Sequence, residues 1–228
     1  MARLFLKKMK FTVITLFPDF IENLNNYSII GRALNSKINT LKAINLRDFG
    51  LGAYHQVDDR PYGGGTGMLL RVDVMSNAIK KAKKGLKNTK VVLLAADGKK
   101  FTQNKAEEYS KLDGLILICG HYEGHDKRIE KYVDEKISTG DYVVSGGEIP
   151  AMIIVDATSR LIKGVLGKEE GLVTESHTQI GNSRILEHPQ YTRPYEFEGK
   201  KVPDVLLSGD PKKVSAWQQK RTKKSKLI

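Results

Sequence analysis

One arginine and several downstream carboxylates are candidate groups for acid–base chemistry. Arg160 lies near the end of a stretch with helical periodicity, and Glu169, Glu170 and Glu175 follow it. A carboxylate can remove a proton as a general base, and a guanidinium can stabilise negative charge that develops on a reacting group. Each side chain alone is more often solvated than catalytic, so the pattern leaves both interpretations open. The five histidines are scattered, and no Ser–His–Asp or Cys–His arrangement is convincing.

Three glycine turns indicate a ligand pocket. They lie at Asp97–Gly98, at Gly120 and at Gly146–Gly147. Ligands of open α/β sheets bind at the carboxyl ends of the strands, where glycine lets backbone amides approach them. We therefore predict that each turn closes a strand of one sheet, including a short apolar strand within Ile137–Pro150, and that together they form one pocket. The alternative is that these glycines form ordinary turns between strands and helices without binding a ligand.

Two further motifs suggest ligands but fit them poorly. His121 and His125 have a metal-binding spacing only if they lie on a helix, and Gly124 between them indicates a loop, so a zinc site is disfavoured. The glycine-rich segment Pro61–Met68 lacks the Gly-Lys-Ser/Thr ending of a Walker A loop and does not follow an apolar strand. The remaining interpretations of that segment are a flexible loop or a loop that neighbouring atoms approach tightly.

The charge of the chain indicates a polyanionic partner. Its 228 residues include 38 Lys+Arg and 26 Asp+Glu, a net charge of +12. Nucleic acid is the first candidate and a membrane surface the second. Six lysines and no acid fall within Lys80–Lys90, and nine basic against two acidic residues give +7 within Lys200–Ile228. Solvated faces are the alternative for both clusters, whereas phosphate contacts would be salt-dependent.

Composition and hydropathy exclude several other classes. The single cysteine, Cys119, cannot form an intramolecular disulfide and fits a reducing cytosol. No apolar run approaches the ~20 residues of a membrane span. Residues 1–9 are too short and too basic for a signal peptide. We expect a cytoplasmic protein that does not enter a membrane.

Strand-like and helix-like segments alternate through the first two-thirds of the chain, which predicts an α/β fold with a mostly parallel sheet. A loop and helix are expected within Pro18–Ser36. The predicted strands are Lys10–Leu16, Leu41–Leu46, Val91–Ala95 and Leu115–Cys119. The predicted helices are Val72–Lys84, Gln103–Ser110 and Ile149–Ile162.

A different pattern follows the alternating segments. Gly164–Ser183 is typical of an exposed linker or mobile loop. From Arg184 we predict a second, smaller domain with helical stretches near Val202–Leu207 and Pro211–Lys220. Trp217 is expected to anchor the packing of this domain rather than to stack on a base.

Several motifs in a fixed order resemble one family, the bacterial tRNA (guanine-N1-)-methyltransferases of the TrmD family, which belong to the SPOUT class of knotted methyltransferases. The resemblance spans nearly the whole chain from Met9. The matching stretches are Leu16–Pro18, Asp58–Met68, Ile118–Gly124, Ile137–Glu148, Ser159–Gly167, Tyr191–Pro194 and Leu206–Gly209.

The resemblance implies methyl transfer from S-adenosylmethionine to N1 of the guanosine at position 37 of tRNA, just 3′ of the anticodon. It implies a deep trefoil knot, a homodimer with the active site at the interface, and tRNA as the partner. The resemblance also suggests that Mg²⁺ is required, although no acidic cluster in the sequence indicates a metal site. The corresponding domains are a knotted methyltransferase domain over 9–166, a mobile active-site loop over 167–183 and a small basic helical tRNA-binding domain over 184–228.

The resemblance also assigns site residues. Arg160 matches the catalytic arginine, and Glu175 falls fifteen residues later, where the family has an aspartate that acts as general base. His177 stands where a phenylalanine is usual. The residues expected to hold the cofactor are Gly120, Thr139, Gly140, Asp141, Tyr142, Val143, Val144, Ala96, Asp97, Gly98, Tyr122, Glu123, Gly146 and Gly147.

Two other hypotheses remain open at this point. A related knotted methyltransferase could act on another base or on a ribose hydroxyl. A non-catalytic protein could bind RNA or the ribosome through its charge alone.

Overall fold

The computed structural model describes residues 8–166, 175–181 and 183–225 of the chain. It divides into two compact units, Met1–Gly167 and Lys168–Ile228, and each is described here by itself. None of the described helices is long and apolar enough to cross a membrane.

The first unit is built on a five-stranded sheet in which every neighbouring pair is parallel. Its strands are β1 (Met9–Thr15), β2 (Asn39–Asn45), β5 (Thr89–Lys100), β6 (Gly114–Ile118) and β7 (Glu135–Ser138). Their order across the sheet is β2-β1-β6-β5-β7. Two short strands, β3 (Asp58–Asp59) and β4 (Leu69–Leu70), form a separate antiparallel pair. The predicted α/β fold with a parallel sheet is therefore confirmed.

Helices cover both faces of this sheet, and the central strand β6 is buried along its whole length. Its side chains alternate between two cores: Ile116 packs in the core with helix α3, whereas Leu117 packs in the core with helix α5. This explains the uninterrupted apolar run of β6, because a strand covered on both faces has no polar side. The helices are α1 (Pro18–Glu22), α2 (Ser28–Asn35), α3 (Val72–Lys83), α4 (Gln103–Ser110) and α5 (Glu148–Ser159), with 3₁₀ turns at Asn23–Asn26, Leu46–Phe49 and Lys127–Tyr132.

Strand β5 is longer than the predicted Val91–Ala95. It pairs with β7 through Leu94, shifts register, and pairs again at Lys99 and Lys100. Asp97–Gly98 therefore lies within β5, at the irregularity, and the prediction that this turn closes a strand is wrong. The apolar strand predicted ahead of Gly146 is also wrong: the sheet strand in that region is β7, and Val143 is 89% exposed in the loop beyond it.

A cluster of charged groups ties the edge strand β7 to helix α4. Lys105 Nζ lies 2.9 Å from Glu135 Oε2 and 2.7 Å from Glu108 Oε2, while the Tyr109 hydroxyl donates to Glu135 Oε1 at 2.9 Å. Lys90, from the start of β5, contacts both carboxylates. Hydrogen bonds from the two lysines lower the pKa of Glu108 to about 2.

The second unit combines short strands with a single α-helix among its described residues. Helix α6 (Pro211–Arg221) begins at Asp210, whose side chain caps the backbone N–H groups of the first turn, as expected for a helix N-terminus. A 3₁₀ turn covers Asp204–Leu207. The strands, which the sequence pattern did not predict, are β8 (Gln179–Ile180), β9 (Ser183–Leu186) and β12 (Lys223–Lys224) in one antiparallel sheet, and β10 (Glu196–Phe197) and β11 (Lys200–Lys201) in a hairpin.

Trp217 is surrounded by side chains of the second unit. Its ring lies 6.2 Å from the rings of both His188 and Tyr191, and the Arg221 guanidinium lies 5.3 Å from its centroid. These contacts fit the expected packing anchor, because all three partners belong to the unit itself.

We predict that Glu108 contributes to the loss of stability in acid. A pKa lowered from 4.5 to about 2 in the folded state stabilises that state above pH 4.5, and the contribution disappears as the pH falls toward 2. The free energy of unfolding of Glu108→Gln should consequently fall less steeply over this range than that of the unaltered protein. Urea denaturation followed by circular dichroism at several pH values measures both slopes, and equal slopes would contradict the assignment.

Candidate functional site

The first unit contains a cavity of about 500 Å³ at the carboxyl ends of β6 and β7 and beside the register shift in the middle of β5. Three segments line it, within 94–97, 120–125 and 137–147, and Pro150 of α5 completes the wall. The volume falls in the range of small-molecule sites, roughly 300–1,000 Å³. The position is the one at which open parallel sheets bind ligands.

Most residues predicted to hold a cofactor meet in this cavity, although their ligand contacts remain a prediction. Those that line it are Ala96, Asp97, Gly120, Tyr122, Glu123, Thr139, Tyr142, Val143, Val144, Gly146 and Gly147. The other three support the wall from behind or beside it. Gly98 packs on the backbone of Ile137, Gly140 packs under the ring of Tyr142, and Asp141 Oδ2 pairs with Lys100 Nζ at 2.5 Å.

Gly147 places the start of α5 against the loop after β6. Its N–H donates to the carbonyl oxygen of Gly120 at 3.0 Å. A Cβ at this position would lie 2.5 Å from Cys119 Cα and 2.8 Å from Gly120 N, which is closer than any side chain can approach a backbone. Glycine is thus required by direct contact between two backbones, and this contact fixes the cavity floor.

The residue that follows Gly147, Glu148, carries a buried carboxylate. Glu148 is 6% exposed, and its Oε1 accepts from the Thr15 hydroxyl at 2.5 Å. His121 Nε2 lies 2.8 Å from Glu148 Oε2 and 2.9 Å from Oε1. Burial alone would raise the pKa of Glu148, but the hydrogen bonds from His121 and Thr15 outweigh it and lower that pKa. The carboxylate is therefore ionised, and His121 Nε2 carries the proton that it donates.

The remaining histidine and the cysteine near the cavity do not form a nucleophilic pair. Burial, followed by the charge of Glu148, raises the pKa of the Cys119 thiol, so that it stays protonated and unreactive. Burial lowers the pKa of His125, which favours the neutral ring. Within the described ranges, no three His, Cys, Asp or Glu side chains converge as metal ligands.

One rim of the cavity carries fixed charges. Lys136 Nζ lies 2.5 Å from Asp97 Oδ2 and 2.9 Å from Glu130 Oε1. The hydrogen bond from Lys136 lowers the pKa of Asp97, and those from Lys127 and Lys136 lower the pKa of Glu130 to about 2. Both carboxylates are hence negative at neutral pH, and Asp97, which lines the cavity, is paired with Lys136.

The glycine-rich segment Pro61–Met68 closes against the cavity wall. The Glu123 N–H donates to the carbonyl oxygen of Met68 at 3.1 Å. Gly67 adopts a φ of +81°, and a Cβ there would lie 2.2 Å from Glu123 Cγ. Of the two predicted alternatives, the tightly approached loop describes this end of the segment, since Gly67 packs directly on the Glu123 side chain.

Tyr122 is held in the left-handed region, with a φ of +59°, and its side chain is 46% exposed. Such a conformation is costly for a residue with a bulky side chain and persists only where the surroundings enforce it. It points the cavity loop outward at the position where Tyr142 and Val143 are also exposed.

The two residues predicted to be catalytic lie in different units. Arg160 follows the last residue of α5, and its N–H donates to the carbonyl oxygen of Asp156 at 3.2 Å. Glu175 precedes β8 in the second unit, where its carbonyl oxygen accepts from the N–H of Thr178 at 3.1 Å. Glu169 and Glu170 lie outside the described residues. The catalytic assignment thus remains a prediction from the resemblance.

Sequence reasoning missed the partnership of Thr15, His121 and Glu148. His121 was weighed only as a metal ligand, and the other two were assigned no role. Glu148 is the first residue of a helix directly after two glycines, and the helix dipole stabilises an acidic side chain at that position. That position was the available signal, but it does not identify a partner 133 residues away in the chain.

The parallel sheet and the cavity at its carboxyl edge define an α/β protein with a pocket of small-molecule size between loops. The sequence profile of the family described as tRNA (guanine-1)-methyltransferase TrmD matches residues 9–227. The chain belongs to this family.

Individual relatives match over most of both chains. A tRNA (guanine-N(1)-)-methyltransferase of Latilactobacillus sakei is 45% identical over 217 residues, which cover 95% of this chain and 87% of that protein. A protein of the same name from Clostridium botulinum is 46% identical, covering 92% of this chain and 86% of its own. Another from Staphylococcus carnosus is 44% identical, covering 93% and 85% respectively.

We predict that Gly147→Ala weakens ligand binding in the cavity at least tenfold, because the added methyl group must push α5 away from the loop after β6. The substitution should also lower the thermal unfolding midpoint. Gly85→Asn is the matched control: its turn is open around the Cβ position, and asparagine tolerates the positive φ found there. Calorimetric titration with S-adenosylmethionine and thermal unfolding of both variants check this, and tight binding by Gly147→Ala would contradict it.

Proposed function

We propose that this chain transfers a methyl group from S-adenosylmethionine to N1 of the guanine at position 37 of tRNA. One observation carries the proposal beyond family membership: eleven of the fourteen residues that the resemblance assigned to the cofactor line a single cavity at the carboxyl edge of the sheet. This cavity also favours an enzyme over a protein that binds RNA by charge alone, because charge-based binding needs no small-molecule pocket.

The cavity fits the proposed methyl donor in size and in chemistry. Its walls combine backbone at Gly120, Gly146 and Gly147 with the carboxylates of Asp97 and Glu123. Backbone groups can hydrogen-bond an adenosine moiety, and negative side chains favour a positively charged ligand. When bound, S-adenosylmethionine supplies an electrophilic methyl group on a cationic sulfur.

The proposed catalytic roles follow from the chemistry of guanine. Its N1 carries a proton at neutral pH and becomes nucleophilic only when that proton leaves. Glu175 would accept this proton, and such general-base catalysis typically contributes about 10²–10⁴-fold. Arg160 would donate hydrogen bonds to O6, where negative charge accumulates as the proton departs.

We propose a homodimer, supported by an exposed apolar face on the first unit. Phe17 and Phe20 are 54% and 44% exposed, and Ile149 and Ile153 are 54% and 41% exposed on one side of α5. Helix α1, which contains Phe20, packs beside α5, so the four side chains belong to neighbouring elements. Exposed apolar side chains on neighbouring elements are typical of a protein–protein contact.

The trefoil knot and the domain roles belong to the same proposal. The contact of Gly147 with the loop after β6 supports a knotted crossing, since the chain entering α5 passes directly against that loop.

The net charge of +7 over Lys200–Ile228 supports tRNA contacts within a domain over 184–228, with 9–166 as the methyltransferase domain and 167–183 as the active-site loop. A cytoplasmic location, which a tRNA substrate supports, is part of the same proposal. We derive no step through Mg²⁺, because the described residues offer no converging acidic ligands.

The decisive experiment is methylation of tRNA transcripts with tritiated S-adenosylmethionine. We expect transfer to a transcript with guanosine at position 37 and none when that base is adenosine, with N1-methylguanosine as the product identified by mass spectrometry. A methylated ribose or another methylated base would favour a related activity, and binding of tRNA without transfer would favour a non-catalytic protein.

We predict that Glu175→Gln lowers kcat by about 10²–10⁴-fold, because an amide cannot accept the N1 proton at neutral pH. The affinity for S-adenosylmethionine, measured by calorimetry, should stay unchanged. Glu175→Asp is the matched control, since it keeps the carboxylate and should retain more activity than the amide. Full activity of Glu175→Gln would remove this residue from the base role.

A further inference from the structure

Four side chains form a closed set of contacts beneath the cavity, and the proposed mechanism does not use them. Thr15, Phe17, His121 and Glu148, the His121 cluster, come from the end of β1, the loop after it, the loop after β6 and the start of α5. Thr15 Oγ1 donates to Glu148 and accepts from the Phe17 N–H at 2.9 Å. The Phe17 and His121 rings lie 5.3 Å apart.

The negative charge of Glu148 in this cluster depends on the hydrogen bond that His121 donates. Glu148 is buried and ionised, and its two carboxylate oxygens both lie within hydrogen-bond distance of His121 Nε2. A buried carboxylate that loses a donor bears a desolvation penalty, which it can relieve only by movement or by protonation. Loss of the His121 donor should therefore displace Glu148 or the backbone that precedes it.

That backbone is the cavity wall. A Cβ on Gly146 would lie 2.3 Å from His121 Cε1 and 2.6 Å from Glu148 Oε2, so the chain at Gly146 rests directly on the imidazole ring and the carboxylate. Both Gly146 and His121 line the cavity. The position of the imidazole ring consequently sets the position of the loop that would enclose a ligand.

The cluster also reaches the surface. The Phe17 side chain is 54% exposed and belongs to the same apolar face as Phe20, Ile149 and Ile153. Phe17 contacts the cluster twice, through its ring on His121 and through its N–H on Thr15. Phe17 therefore combines an exposed side chain with direct contacts to His121 and Thr15.

We propose that His121 is a positioning residue for the methyl donor, and that Phe17 couples the cavity to the covering of the apolar face by a second copy of this chain. The inference rests on the proposed function and deepens it. His121 does not touch the transferred methyl group in this proposal: it holds the Gly146 backbone through Glu148, and Phe17 restricts the ring when the face is covered. Binding of the methyl donor and dimer formation would then strengthen each other.

The first test separates positioning from general stability. His121→Phe keeps an aromatic ring next to Phe17 but removes the donor to Glu148, whereas the side-chain amide of His121→Gln can place a nitrogen near the position of Nε2. We expect His121→Phe to raise the Kd and the KM for S-adenosylmethionine roughly tenfold. At saturating methyl donor its kcat should change much less, and His121→Gln should recover most of the affinity.

A merely structural role gives a different result. Both variants would then lower the thermal unfolding midpoint while the Kd measured well below that temperature stayed unchanged, and this outcome would overturn the proposal. Failure of His121→Gln to recover more affinity than His121→Phe would also overturn it, because the donor to Glu148 would then not matter.

The second test uses two phenylalanines of the same apolar face. Phe17→Ala removes the ring that contacts His121, and Phe20→Ala removes a comparably exposed ring from the adjoining helix. Sedimentation equilibrium gives the oligomeric state of each variant, and calorimetry at a concentration where both are dimeric gives the affinity. We expect Phe17→Ala to weaken binding of S-adenosylmethionine roughly fivefold and Phe20→Ala to leave it within error.

Equal affinities of the two alanine variants would overturn the coupling through Phe17. A monomeric unaltered protein would do the same, since no second copy would then cover the face. These outcomes are distinct from failure of the proposed function, in which the unaltered protein itself binds no S-adenosylmethionine or transfers no methyl group to tRNA.

Discussion

The first turn of α5 lies in direct backbone contact with the loop that follows β6, and the geometry of the cavity depends on that contact. Only glycine at 147 permits it, because Cys119 Cα occupies the space that any side chain would need. The contact brings the amino-terminal end of a helix, with its partial positive charge, to the carboxyl edge of a parallel sheet. The loops at this edge then line the cavity with Gly120, Gly146 and Gly147 beside larger side chains such as Tyr122 and Tyr142.

The same contact explains why a buried carboxylate is tolerated beneath the cavity. Glu148 lies in the first turn of α5, where the helix dipole favours a negative charge, and it accepts hydrogen bonds from two other elements. A buried charge is costly unless it is paired and hydrogen-bonded, and here His121 and Thr15 meet that requirement. The result is a rigid polar junction between β1, the loop after β6 and α5.

Local patterns predicted strand β6 well because it is covered on both faces. The apolar run of β6 and the helix α4 lie where the sequence placed them, with α4 spanning the predicted Gln103–Ser110. The pattern failed at Tyr142–Val144, since apolar side chains at the mouth of a cavity resemble those of a buried strand. It also failed within β5, where pairing with β7 resumes after a register shift that no local signal marks.

The site could be predicted only in part from the sequence. Glycine turns indicated where a ligand would bind, because backbone approach has a local signature. The hydrogen bond between His121 and Glu148 joins residues 27 positions apart, and that between Thr15 and Glu148 joins residues 133 apart, so neither could be inferred from spacing. The roles of Arg160 and Glu175 came from resemblance alone, since a lone arginine and a lone glutamate carry no pattern of their own.

The pairing of β12 with β9 has a practical consequence for handling the protein. Ser225 N–H donates to the carbonyl oxygen of Arg184, and the Arg184 side chain donates in turn to the carbonyl oxygen of His177, two residues from Glu175. Residues 223–225 are thus a structural brace for the segment that contains Glu175, rather than a dispensable basic extension. Proteolytic trimming of the lysine-rich end would therefore loosen a strand far away in sequence.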